Sequence, residues 1–227
     1  MKMPSFTALG FALLLACAPT AGAATIFLTD NVLEDIPDGS SSGLARAFAV
    51  SAALETITAL EVNLQIGATA GGDAFLGDLY VYLTNGTDLA VLLNRPGRSA
   101  TAPAGYSDNQ SLNVTFTNTA VEDIHNYRQS VTGSASNPLV AALGGTWLAD
   151  GRSSDPASVL DTDTPSARLN VFNGSAASHD WSLYVADLSG GGTHQLVSWS
   201  IKLTTVPEPS SLFLSVCALP LLLRRRR

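Results

Sequence analysis

The chain has 227 residues and a net charge of −7 at pH 7, and the stretch 24–206 alone has 7 basic and 18 acidic residues, a net charge of −11. Such an acidic body repels phosphate backbones, which argues against nucleic acid as a partner. Both cysteines, Cys17 and Cys217, lie outside this stretch, so it has no disulfide, no thiolate nucleophile and no cysteine metal site.

The first predicted element is a secretory signal peptide over residues 1–23. It combines a basic start at Lys2, an apolar run over Phe11–Leu15 and small residues at 21–23, which is the order typical of such signals. Cleavage between Ala23 and Ala24 by a signal peptidase would leave a mature chain that starts at Ala24.

An alternative processing site lies inside the same segment. The residues Leu14-Leu15-Ala16-Cys17 fit a lipoprotein box, in which Cys17 would become a lipidated N-terminus. We favour cleavage after Ala23, because the opposite end of the chain has a membrane segment of its own and a second anchor is unnecessary.

Residues 24–205 are predicted to form one domain built from short strands. Leu60, Val62, Leu64 and Ile66 alternate with polar residues and therefore share one face. Alternation recurs over Asp78–Thr84, before the turn signal Asn85-Gly86. Further strands are predicted at Leu89–Leu93, at Leu112, Val114 and Phe116, at Trp181, Leu183 and Val185, and at Val197, Trp199, Ile201 and Leu203. Because no sustained helical period interrupts them, these strands predict an all-β fold, a jelly-roll-like β-sandwich.

The C-terminal segment 206–227 has three parts. The first is Val206-Pro207-Glu208-Pro209, whose prolines favour an extended backbone that a processing enzyme can hold. The second is the uncharged, 14-residue run Ser210–Leu223. As a helix it would be about 21 Å long, which is shorter than the roughly 30 Å hydrocarbon core of a bilayer. The third is the basic end formed by Arg224, Arg225, Arg226 and Arg227, which favours the cytoplasmic side.

This pattern predicts a short hydrophobic helix that associates transiently with the membrane and leaves the body of the protein outside. A buried core helix is disfavoured, because such helices are seldom apolar all round and then followed by four like charges. The segment resembles a PEP-CTERM sorting signal. The resemblance implies recognition and removal by an exosortase, in a Gram-negative bacterium that makes exopolysaccharide, with delivery to the cell surface or the extracellular matrix.

A second resemblance covers the body from about Thr25 to Thr204. It rests on Gly77–Thr87, on Asp123–Arg128, and most of all on Trp181–Asp187 together with Leu196–Leu203. These segments resemble the P domain, also called Homo B, a β-sandwich that follows the catalytic domain of furin- and kexin-like subtilases. The resemblance implies a domain that stabilises a neighbouring serine endopeptidase and does not itself cleave peptides.

The three histidines give no sign of a catalytic residue, and no Gly-x-Ser-x-Gly nucleophile elbow accompanies them. The resemblance implies a structural hydrogen-bonding role for His125, which lies in the family's Asp-Ile-His stretch. His194 lies in a glycine-rich hairpin and is expected to be solvated. The side chains of His179 and Asp180, which are adjacent in a predicted strand, would point to opposite faces. With no triad and no subtilase domain, enzyme activity is not expected.

Calcium is the one cofactor that the sequence suggests. Carboxylate and amide oxygens in loops suit this cation, some P domains carry it, and Asp78 and Asp123 are the predicted ligands. The chain has Thr117-Asn118 where the family commonly has an acidic pair, so two carboxylates are missing.

Trp147 is the predicted ligand-binding residue. Trp181 and Trp199 lie on the apolar face of their predicted strands and are therefore expected in the core. Trp147 instead lies in a loop-like insertion, where an exposed ring could stack on a sugar.

Two functional hypotheses follow. The favoured one is an exported, noncatalytic β-sandwich module with a binding or structural role at the surface or in the matrix, where exopolysaccharide would be a partner. The alternative is a P domain that supports a serine-type endopeptidase in trans.

Overall fold

The computed structural model describes residues 22–52, 55–69 and 74–207. The predicted signal peptide up to Ala21 lies outside the described residues, and so do Glu208, Pro209, the apolar run and the four terminal arginines. Within the described part of the chain, no helix is both long and apolar enough to cross a membrane.

The described part of the chain contains nine strands and four short helical segments. The strands are β1 (Ala24–Asp35), β2 (Ser40–Ala49), β3 (Glu55–Ala68), β4 (Leu79–Thr84), β5 (Leu89–Asn94), β6 (Leu112–Phe116), β7 (Leu143–Trp147), β8 (Asp180–Asp187) and β9 (His194–Pro207). The helical segments are α1 (Tyr127–Val131) and three 3-10 turns at Leu76–Asp78, Ile124–Asn126 and Leu169–Phe172.

The strands form two sheets that pack as a sandwich, which confirms the predicted fold class. One sheet has the order β1-β9-β3-β6-β7 and the other has the order β2-β8-β4-β5. Strand β7 pairs with β6 in parallel, while every other pairing between these strands is antiparallel. Without β7, the remaining eight strands form two antiparallel sheets of four, which is the strand number of a jelly roll.

The core lies between the two sheets and follows from the alternation of side chains along each strand. In β3, the predicted inward residues Leu60, Val62, Leu64 and Ile66 are at most 1% exposed. The inward residues of β4, β6 and β8 are buried to the same degree, as are Trp181 and Trp199. Burying one such side chain contributes about 1.5–3 kcal/mol, so this alternation stabilises the sandwich.

The sequence pattern groups Val197 on one face with Trp199, Ile201 and Leu203, and this placement of Val197 is wrong. The pairing between β3 and β9 passes from Gln65 opposite Ser198 to Ile66 opposite Leu196, so Val197 is the extra residue of a β-bulge. Because the bulge changes the side-chain phase by one residue, Leu196 is fully buried and Val197 is half-buried.

Candidate functional site

A buried polar cluster surrounds His125, which lies in the 3-10 turn Ile124–Asn126. The side chain of Asp123 caps this turn by accepting a hydrogen bond from the backbone N–H of His125 at 2.9 Å. The imidazole is fully buried, with Nδ1 2.7 Å from Oδ2 of Asp150 and Nε2 3.0 Å from the carbonyl oxygen of Arg98. The expected structural role of His125 is therefore confirmed.

Both ring nitrogens of His125 face groups that can only accept a hydrogen bond. The ring satisfies the Asp150 carboxylate and the Arg98 carbonyl together only when both nitrogens carry a proton, which makes it a cation. Burial alone would lower the pKa of His125, but the hydrogen bond and the charge of Asp150 outweigh burial and raise the pKa. A histidine in this state has no free nitrogen with which to accept a proton from a nucleophile.

Asp150 is the centre of this cluster. Its fully buried carboxylate also accepts from the backbone N–H of Asn94 at 3.1 Å and from Nη1 of Arg152 at 3.1 Å. The same Nη1 donates to Oδ2 of Asp123 at 3.0 Å, and Arg168 approaches that oxygen at 3.4 Å. Because the charges are paired and hydrogen-bonded, the cluster joins β5 to the long connection between β7 and β8 without leaving an unpaired buried charge.

A second cluster lies where β4 begins and β8 ends. Asp78 lies 3.4 Å from Nη2 of Arg95, and the same Nη2 donates to Oγ of Ser189 at 3.0 Å. Burial raises the pKa of Asp78, and the nearby charge of Asp187 raises it further. This carboxylate therefore also belongs to an ion pair within the fold.

The predicted calcium ligands do not fit a shared metal site. Asp78 faces Arg95, whereas Asp123 faces Arg152 and Arg168, so guanidinium groups already supply the positive charge beside each carboxylate. Among the described residues, no group of three or more His, Cys, Asp or Glu side chains could hold a metal ion.

The expectation that His194 is solvated is wrong. His194 is the first residue of β9 and is fully buried, and its Nδ1 lies 2.6 Å from Oδ2 of Asp187, the last residue of β8. The pair thus links the two strands across the glycine-rich hairpin. Its Nε2 is buried and has no hydrogen-bond partner in the described chain. The third histidine, His179, is half-buried, and its ring is nearly perpendicular to that of Trp181 at a centroid distance of 6.5 Å.

A third buried cluster, which no sequence motif indicates, is centred on Asp108. Its carboxylate accepts from the hydroxyl of Tyr127 at 2.5 Å, from Nε of Arg128 at 2.7 Å and from the backbone N–H of Leu139 at 2.6 Å. Burial alone would raise the pKa of Asp108, but these three hydrogen bonds outweigh it and lower the pKa. The cluster fixes α1 against two long loops.

The prediction that Trp147 exposes a ring for sugar binding is wrong. Trp147 ends strand β7, is 5% exposed and packs in the core, and its indole N–H donates to the carbonyl oxygen of Gly144 at 2.8 Å. The segment pairs in parallel with β6 and is therefore part of the sheet.

The described ends of the body lie side by side. Ala24 pairs with Thr205 at the start of β1, while Val206 and Pro207 pair with Thr56 and Glu55 of β3. The buried hydroxyl of Thr205 donates to Oε2 of Glu55 at 2.6 Å. The predicted cleavage site at Ala23 and Ala24 and the first half of the C-terminal motif are therefore at the same end of one sheet.

No family model and no curated protein sequence matches the chain. Among solved structures, it is similar to a chain of the crystal structure of the Aeromonas sobria serine protease and chaperone ORF2 complex, with a TM-score of 0.45 and 15% identity over 85% of this chain and 28% of that chain. A second structure of the Aeromonas sobria serine protease gives a TM-score of 0.44 and 15% identity over 83% of this chain. This chain spans 28% of the length of each of those chains.

Proposed function

We propose that the protein is an exported, noncatalytic β-sandwich module that an exosortase sorts to the cell surface or extracellular matrix through its C-terminal segment. The observation that carries the proposal is the agreement between the folded body and the interval between the two predicted processing sites. Strand β1 begins at Ala24, and β9 extends to Pro207. Cleavage after Ala23 and between Pro207 and Pro209 would therefore leave every described strand complete, including Val206 and Pro207, which pair with β3.

The polar clusters support a noncatalytic role. His125 uses both ring nitrogens to bind Asp150 and Arg98, and neither nitrogen contacts a serine. His194 is fully buried against Asp187, so its ring is not accessible to a substrate. Nucleophilic catalysis by serine needs an accessible base within hydrogen-bond reach of the hydroxyl, and the two buried histidines instead stabilise the fold.

Export through the C-terminal segment is tested by replacing Glu208 with glutamine, which removes the only charge of the motif and keeps the size of the side chain. We expect the Glu208→Gln protein to accumulate as a membrane-bound precursor that keeps the apolar run. The matched control is Glu61→Gln, which removes a half-buried carboxylate that pairs with Lys202 at 3.1 Å. Normal processing of Glu208→Gln, at the rate of the control, would contradict the sorting proposal.

The alternative function is support of a serine endopeptidase in trans, and the P-domain resemblance of Trp181–Asp187 and Leu196–Leu203 favours it. It predicts that cells without the protein lose the activity of a separate secreted serine endopeptidase. A fluorophosphonate probe distinguishes both ideas from an enzyme, because labelling of any serine of this chain would contradict a noncatalytic module.

A further inference from the structure

The outer face of the four-stranded sheet has three clustered tyrosines. Leu79, Val81 and Leu83 of β4 point into the core, so the alternating side chains of Tyr80 and Tyr82 point to the opposite face. Tyr184 of β8 joins them because it pairs directly with Tyr82. The rings of Tyr82 and Tyr184 stack at a centroid distance of 4.8 Å, and Tyr80 lies 6.4 Å from Tyr184 in an edge-on orientation.

The fold holds Tyr184 in a fixed position. Its hydroxyl donates to the carbonyl oxygen of Ser41. Gly43 has a φ of 55°, and a Cβ atom there would lie 2.7 Å from the tyrosine ring. Only a residue without a side chain both adopts this backbone conformation readily and leaves room for the ring. The aromatic surface is therefore preorganised.

A cavity of about 410 Å³ opens beside these rings. Tyr80, Tyr184, Leu188 and Pro156 give it an apolar lining, while Arg95 and Asp155 provide charged groups. Its volume falls within the roughly 300–1,000 Å³ of small-molecule sites, and an apolar lining with a few polar groups is typical of them. The cavity thus has the size and lining of a ligand site.

The charged groups restrict the class of ligand. Arg95 uses Nε and Nη2 for protein acceptors, whereas its Nη1 makes no hydrogen bond within the described chain. Asp155 is exposed, and its Oδ1 accepts from the N–H of Ala157 at 2.8 Å. A guanidinium disfavours a cationic ligand, while Asp155 and a body with a net charge of −11 disfavour an anionic one. The best match is a neutral molecule that both donates and accepts hydrogen bonds.

We propose that this cavity, the tyrosine site, binds a neutral carbohydrate whose ring stacks on Tyr80 and Tyr184 and whose hydroxyl groups bond Arg95 and Asp155. A sugar ring has an apolar C–H face and a rim of hydroxyl groups that both donate and accept, which matches the aromatic lining and the two charges. The inference names the ligand class for the binding role in the proposed function, but it does not depend on the sorting signal.

The experiment titrates full-length protein, kept in a detergent without a sugar headgroup, with cellotetraose, maltotetraose and N-acetylchitotetraose by calorimetry. We expect saturable binding of at least one of the three. Tyr80→Ala should weaken that binding by about tenfold because it removes the stacking ring, and Tyr80→Phe should leave it within about twofold.

Two controls separate binding from folding. Phe27→Ala removes a ring that is 63% exposed on the other sheet and should leave binding unchanged. Equal unfolding midpoints for the Tyr80 variants and the unmodified protein should show that the fold is retained. No saturable binding of any of the three sugars, or equal binding by Tyr80→Ala, would overturn the proposal. Tyr80-dependent binding of decaproline without sugar binding would assign the site to peptide and overturn it as well.

A failure of sugar binding leaves the sorting proposal intact, because processing of Glu208→Gln is measured independently. The converse also holds, since normal processing of that variant would not alter calorimetric binding at Tyr80.

Discussion

His125 and His194 both contact an aspartate through Nδ1, but the surroundings of their Nε2 atoms differ. Each ring is fully buried and lies within 2.7 Å of an aspartate through Nδ1. The Nε2 of His125 also bonds the carbonyl of Arg98, whereas the Nε2 of His194 has no partner in the described chain. The first pair belongs to a network of charges that joins distant loops, and the second links two consecutive strands. A buried His–Asp pair thus has a different structural role in each place, and the groups around it determine how much it contributes to the stability of the fold.

The largest loss of folding stability is expected for Asp150→Ala. This change leaves the His125 cation and the Arg152 guanidinium buried without their central carboxylate, and breaking such a pair costs about 3–5 kcal/mol. Urea unfolding should show a loss of this size, while Asp180→Ala, at an exposed aspartate, should lose less than about 0.5 kcal/mol. A loss below about 1 kcal/mol for Asp150→Ala would mean that the network does not stabilise the fold.

A smaller loss of folding stability is expected for Asp187→Ala, which is the same substitution in the pair that Asp187 forms with His194. It leaves the buried ring of His194 without a partner for Nδ1, at a cost of about 1–3 kcal/mol. The same unfolding series should rank this variant between Asp180→Ala and Asp150→Ala. If Asp187→Ala proves the more destabilising of the two buried changes, the network around His125 does not stabilise the fold more than the His194 pair does.

The smallest expected effect is a dependence of folding stability on pH that arises from His125. Because its folded-state pKa is raised above the ordinary value, its contribution to stability is fully present below about pH 6.5 and is lost as the pH rises through the folded-state pKa. The free energy of unfolding of the unmodified protein should therefore fall more steeply as the pH rises above about 6.5 than that of His125→Asn. Parallel curves would show that the ring is not held as a cation.

The central strands could be predicted from the sequence because each buries one full face. Leu60 to Ile66 and Trp181 to Val185 alternate without interruption, and both patterns appear unchanged in the structure. Strands β1 and β2 lie at sheet edges and alternate between half-buried and exposed residues, so their pattern is weak. Val197 could not be placed, because a bulge depends on pairing with a distant strand.

The polar clusters could be predicted only in part. The P-domain resemblance implied the structural role of His125, but its partners Asp150 and Arg98 lie 25 and 27 residues away in the sequence. The glycines before His194 suggested solvent, while the decisive contact is with Asp187 across the hairpin. An aspartate at the end of one strand and a histidine at the start of the next is the local signal that could have indicated this pair.

We propose that the C-terminal segment directs sorting and that the β-sandwich is the functional part of the mature protein. Intact mass and terminal sequencing of the native protein, from surface and medium fractions, test this proposal. We expect a form that starts at Ala24 and ends within Pro207 to Pro209. A form that keeps Leu212 to Arg227 would make the segment a lasting anchor and refute the proposal, as would a form that starts at a lipidated Cys17.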